Sequence, residues 1–183
     1  MINQPNLLLI AGTGRNVGKT SLACALISQI SISHRVIGVK ISPHFHEHSS
    51  SEKIIVKSAD FEIIEELNPI ASKDSSRMLK AGASRVFYVQ TKNDDVLIEV
   101  INELQQFWTN ETAVICESGG LRHFIEPGLF LVCHSEDQPE MKPHLKVLEP
   151  KVDQFILFQE NGFDFDLAKI KFGNNQWSIK SNQ

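Results

Sequence analysis

The sequence has little of what would take it out of the globular class. Ten glycines and seven prolines beside a hydrophobic share of 42% are not the composition of a disordered, collagenous or solenoid chain. Cysteine is scarce: Cys24, Cys116 and Cys133 sit inside apolar runs with no CxxC spacing. That pattern fits reduced, buried thiols of a cytoplasmic protein better than a disulfide or zinc framework. Long hydrophobic runs are missing too, and nothing approaches the roughly eighteen apolar residues of a membrane span. The run Leu7 to Ala11 has no Lys or Arg before it and leads into Gly-Thr-Gly, unlike a cleaved secretion signal. Basic excess is also lacking. Eighteen Lys+Arg against 22 Asp+Glu leave a net charge of −4, so nucleic acid is not an expected partner and neither is a membrane. The 183 residues suffice for one domain, 1–183, with a sizeable core.

What the sequence does have is alternation of apolar strands with helical stretches. Leu7 to Ala11 reads as a strand buried on both faces, and Leu22, Ala25, Leu26 and Ile30 recur at helical spacing. Arg35 to Ile41 is a second strand, completing a βαβ unit. Ser42 to Ser51, rich in His and Ser, reads as a long loop. Lys53 to Val56 and Phe61 to Ile64 flank Ser-Ala-Asp and suggest an inserted β-hairpin near 53–64, with Leu67 closing a short helix as the alternative. Ser72 or Asp74 is positioned to cap a helix through Met78 to Ala81, which Gly82 would stop. Arg85 to Gln90 is the next strand. Asn93 or Asp94 caps a helix whose face is Val96, Leu97, Val100, Ile101, Leu104 and Phe107. Strands over Thr112 to Cys116, Leu129 to Cys133 and Gln154 to Phe158 follow, and Asp164 to Ile170 reads as a last helical turn or two. The expected fold is α/β, a mostly parallel sheet flanked by helices with ligands at the strands' C-terminal edge.

The strongest chemical signal is Gly12-Thr13-Gly14-Arg15-Asn16-Val17-Gly18-Lys19-Thr20-Ser21, between a strand and a helix. Such a loop lets backbone N–H groups form an anion nest at a helix N-terminus, with Lys19 reaching terminal phosphates and Thr20 holding Mg²⁺. The spacing is a variant of GxxxxGK[ST], with glycines at 12 and 14 and Thr13 where the first Gly would stand. Phosphate contacts are assigned to Gly14, Arg15, Asn16, Val17, Gly18, Lys19, Thr20 and Ser21. A metal also needs an acid. Glu117 follows an apolar strand and precedes Ser-Gly-Gly, so it joins Thr20 as a metal residue and Lys19 as a catalytic one; Asp60 and Asp74 are the weaker metal candidates. Lys40 ends the second strand at the same edge. His44, His46 and His48 would share one side of an extended segment, as metal or phosphate contacts or as solvated loop histidines. Phe124, Phe130, Phe155 and Phe158 read as core rather than base-stacking residues.

These stretches resemble the P-loop GTPases of the MobB family, the molybdopterin-guanine dinucleotide biosynthesis protein B. The loop Gly12 to Ser21 occupies that family's Walker A position, and Lys40 with His44, His46 and His48 is similar to its Lys followed by clustered histidines. Ser72 to Arg77 with Lys80-Ala81-Gly82-Ala83 resembles its Gly-Lys-Asp-Ser…Ala-Gly-Ala stretch, which brings Asp74, Ser75 and Arg77 to the nucleotide. The resemblance implies a P-loop NTPase fold, GTP and Mg²⁺ binding, slow hydrolysis, a homodimer, and an adaptor role beside the molybdopterin nucleotidyltransferase. Gly-Thr-x-x-x-Val-Gly-Lys-Thr and Glu-Ser-Gly-Gly also resemble dethiobiotin synthetase, which implies ATP and a ligase reaction with Lys40 near a carboxylate or carbamate. A third reading is a non-hydrolysing, nucleotide-gated interaction module. No Asn-Lys-x-Asp marks a guanine site, and Asn161 or Asp164 stand where a base contact would fall.

Overall fold

The computed structural model describes residues 1–43, 45, 52–137 and 143–180. The first strand, β1 (Ile2–Gly12), lies inside the sheet, and its residues alternate between two cores. Leu7 and Leu9 enter one apolar cluster and Leu8 and Ile10 the other, all fully buried. This two-sided burial is why the run carries no polar alternation. The helix α1 (Lys19–Ile30) follows, then β2 (Val36–Ser42), the pair β3 (Glu52–Lys57) and β4 (Phe61–Glu66), α2 (Asp74–Lys80) and β5 (Arg85–Thr91). A 3-10 turn leads into α3 (Leu97–Gln105), followed by β6 (Ala113–Glu117), β7 (Ile125–Ser135), α4 (Pro143–Lys146), β8 (Gln154–Gln159) and β9 (Gly162–Phe163). Two short strands close the chain, β10 (Ile170–Gly173) and β11 (Gln176–Ile179).

Nine strands form one sheet in the order β3-β4-β5-β2-β6-β1-β7-β8-β9. From β5 to β8 every neighbouring pair is parallel, while β3, β4 and β9 join antiparallel at the two ends. Helices cover both faces. Leu22, Leu26 and Ile27 of α1 and Met78 of α2 pack with Leu8 and Ile10, whereas Leu97, Val100, Ile101 and Leu104 of α3 pack with Leu7 and Leu9. Among the described residues no helix is long and apolar enough to cross a membrane. Cys116 and Cys133 lie in the sheet interior as free thiols, where burial pushes the Cys133 thiol up to about 12. Cys24 is free and half-buried.

The inserted hairpin is present, with Lys53 opposite Glu65 and Lys57 opposite Glu62, and it adds to the sheet through β5. Its charged rungs are ion-paired, Lys53 to Glu65 at 3.4 Å and Lys57 to Glu62 at 3.0 Å. Leu67 follows β4 outside any helix. Three sequence expectations fail. Neither Ser72 nor Asp74 caps α2: Lys73 holds that place without a side-chain bond, and Asp74 is the first helical residue, its carboxylate drawn to Lys40 instead. The stretch 164–170 gives only a single 3-10 turn, Leu167–Lys169, capped by Asp166, because Ile170 already begins a β-hairpin and leaves no room for a second turn. Phe158 is not in the core. Phe130 is buried and Phe124 and Phe155 pack against the α3-side cluster, but Phe158 is half-buried at the end of β8.

Candidate functional site

The parallel strands bring the chemistry-bearing residues to one edge. β1 runs into the loop before α1, β2 delivers Lys40, and β6 lies between them and delivers Glu117. The β2–β6 register sets Lys40 opposite Glu117, so two residues 77 apart in sequence become neighbours. α2 opens over the same edge and adds Asp74 and Arg77. Together they border a cavity of about 380 Å³ lined by Arg15, Asn16, Val17, Gly18, Lys19, Thr20, Ser21, Lys40, Asp74, Arg77, Glu117 and Phe158.

The loop has the backbone of an anion cradle. Asn16 and Gly18 both take left-handed conformations, φ 59° and 87°, the turns that aim successive N–H groups to one side. α1 then starts without any side-chain cap, so its first N–H groups have no intrahelical acceptor. Glycine is required at 18 for a second reason: a Cβ there would lie 2.4 Å from Cγ of Phe158. Lys19 curls back and donates to the carbonyl of Gly14 at 2.6 Å, which closes the loop on itself. Burial pulls the Lys19 ammonium below the ordinary lysine value; Glu117 opposes this and Lys40 adds to it.

The acidic half of the site is tightly linked. The Thr20 hydroxyl donates to Oε2 of Glu117 at 2.7 Å, while the Lys40 ammonium donates to Oε1 of the same carboxylate. Lys40 also lies 3.1 Å from Asp74, and Asp74 is 3.5 Å from Arg77, which donates to the Ser21 hydroxyl at 3.2 Å. Burial works against the charge on Lys40, but Glu117 and Asp74 outweigh it and hold the ammonium above the ordinary lysine value. Burial would likewise raise Asp74, yet the Lys40 ammonium and the Arg77 charge pull its carboxyl below the usual range.

The structure therefore places Arg15, Asn16, Val17, Gly18, Lys19, Thr20, Ser21, Lys40, Asp74, Arg77 and Glu117 around one cavity. Ser75 does not join them. One position along a helix turns the side chain by about 100°, and Ser75 is buried with its hydroxyl donating to Glu66 at 2.8 Å. Gly14 contributes its carbonyl to Lys19 rather than a cavity wall. Asp60 sits in the β3–β4 turn 3.4 Å from Lys92, away from the site, and Asp164 accepts the Leu157 N–H at 2.7 Å. His44, His46 and His48 lie outside the described residues. Phe158 is the lining residue that sequence reasoning missed: an apolar strand end looks the same whether it meets a core or a cavity. Searches of protein-family models, curated proteins and solved structures give no match to this chain.

Proposed function

We propose that the chain is a P-loop protein that binds a nucleoside triphosphate with Mg²⁺ at this edge, in the manner of the MobB-like GTPases it resembles. The observation that carries the reading is that an uncapped helix start, a left-handed nest and Lys19 line the same cavity as a hydroxyl and two carboxylates. A triphosphate needs the first set for its oxygens and the second for its metal. The cavity volume is that of a small-ligand site. Thr20, Glu117 and Asp74 offer hard oxygen donors, the set that suits Mg²⁺ rather than a soft metal. Bound there, Mg²⁺ would neutralise charge developing on the phosphate oxygens.

On binding, Lys19 exchanges the Gly14 carbonyl for a phosphate oxygen, so the loop opens as the ligand seats. GTP comes with the resemblance. Slow turnover follows from the lining: among the described residues bordering the cavity there is no glutamine to orient water, and Arg77 is engaged with Asp74 and Ser21. A partner that completes the site, of the molybdopterin nucleotidyltransferase kind, and a homodimer fit the adaptor role. Phosphate release from Mg·GTP by the isolated protein is the test. Slow release that Lys19→Ala removes supports the reading, and rapid basal turnover opposes it.

One observation favours a second reading, a ligase resembling dethiobiotin synthetase. The Lys40 ammonium lines the same cavity as the phosphate loop, where a carboxylate or carbamate on a second substrate would meet it. ADP formation from ATP that accelerates with diaminopelargonic acid and bicarbonate supports this reading, and indifference to both removes it.

A further inference from the structure

The cavity is not a simple acidic cup. Arg15, Lys19, Lys40 and Arg77 line it against only Asp74 and Glu117, so four positive groups face two negative ones. Lys40 is the one in contact with both acids, on Oε1 of Glu117 and 3.1 Å from Asp74, while Thr20 holds the other Glu117 oxygen. Its side chain is 16% exposed and that of Glu117 only 3%, so water screens this contact weakly. The arrangement is imposed by the sheet, because Lys40 and Glu117 are register partners on adjacent parallel strands.

From this we infer that Lys40 is the resting counter-cation of the site: its ammonium keeps free divalent ions off Glu117 and Asp74, so a metal enters only with a polyphosphate. The inference rests on the phosphate-site reading above for its second half alone. The two carboxylates and the ammonium carry a net charge of minus one. A divalent ion added beside them makes the group net positive, next to Lys19 and Arg77. A polyphosphate changes the balance by bringing several negative charges. The ammonium then has phosphate oxygens to move to, and the carboxylates are released to the metal. Without Lys40 the same two acids, with the Thr20 hydroxyl, become an ordinary hard-cation site.

The test uses Mn²⁺ alone as probe, read by loss of the free-ion electron paramagnetic resonance signal. The unaltered protein and Lys40→Arg should bind it weakly. Lys40→Met should bind it at least about tenfold more tightly, and adding Glu117→Gln should abolish the gain. Lys40→Gln is the second variant should Lys40→Met lose its fold by circular dichroism. The unaltered protein gives an independent reading: Mn²⁺ alone should leave the amide resonances of Thr20 and Ser118 sharp, and Mn²⁺ with inorganic triphosphate should broaden them. Equal Mn²⁺ affinity in the unaltered and Lys40-neutralised proteins overturns the inference, as does broadening by Mn²⁺ alone. Failure of triphosphate to bring Mn²⁺ in, where neutralised Lys40 still gains it, counts against the phosphate site instead, so the two readings fail separately.

Discussion

Gly18 carries two constraints that a single substitution exposes. At φ 87° a side chain is strained, and the ring of Phe158 fills the space a Cβ would take. Gly18→Ala should therefore cost the left-handed strain of roughly 1–2 kcal/mol plus a clash. Combined with Phe158→Ala, the extra cost should fall back to the strain alone. Urea midpoints of the four proteins in the cycle check this, and an unchanged cost in the Phe158→Ala background would remove the clash from the account. The glycine and the lysine of the loop were legible in the sequence, since strand, Gly-rich turn and helix follow in order. Phe158 was not, because hydrophobicity does not report which apolar residue ends at an opening.

Asp74 carries a pH signature. Its folded value lies below the ordinary 3.8, so its contribution is complete above 3.8 and is lost as pH falls through the folded value. Lys40 is shifted the other way, above 10.5, and its contribution is lost only as pH rises past that value. The stability difference between the unaltered protein and Asp74→Asn should be flat around neutrality and vanish in acid, as urea midpoints across pH would show. A difference that persists at the acid end would detach Asp74 from Lys40. Because Asp74 is 43% exposed, the plateau should be small.

At the scale of elements, periodic apolar patterns read most clearly. α3 shows Leu97, Val100, Ile101 and Leu104 fully buried against β1, as its sequence spacing indicates. Leu104→Ala should cost about 2–5 kcal/mol by leaving a cavity. Glu99→Ala, on the exposed face, should stay within about 0.5 kcal/mol, and calorimetric or urea unfolding measures both. The hairpin β10–β11 was illegible for a physical reason. Its four-residue strands alternate too briefly to declare a period, and Asp164 to Ile170 can pass for a helical turn. The available signal was Asn174-Asn175, which adopt φ 51° and 62°, the left-handed pair of a two-residue hairpin turn. Lys73 as the α2 cap was also unreadable, since Asp74 is a good capping residue whose carboxylate is claimed by Lys40.

At the scale of the whole molecule, the strand order makes the site. β6 lies between β1 and β2, although the chain reaches β6 only after the hairpin, α2, β5 and α3. Sequence indicated that Glu117 ends a strand, but its pairing with Lys40 depends on neighbours that pattern alone does not reveal. The connection from β1 runs to the β2 side and that from its neighbour β7 runs the other way to β8, so connections diverge beside the loop, as at ligand edges of open α/β sheets. The C-terminal hairpin closes the α1 face: Trp177 is buried and its indole N–H donates to the Asn6 carbonyl at 2.8 Å. Trp177→Ala should cost about 3–5 kcal/mol and lower the melting temperature of the whole domain in one transition. A separate early transition would show that the hairpin is not part of the cooperative unit.

The proposed site takes a triphosphate through the loop N–H groups and Lys19 and a metal through Thr20, Glu117 and Asp74. Calorimetric titration of the nucleotide-free protein with Mg·GTP and Mg·ATP, beside Lys19→Ala, tests it most directly. Saturable binding with GTP preferred is expected, weakened in Lys19→Ala by roughly 1.5–3 kcal/mol, the worth of a charged hydrogen bond. A preference for ATP would move the reaction to the ligase reading while keeping the site. No saturable binding of either nucleotide, or equal affinity in Lys19→Ala, would contradict the claim.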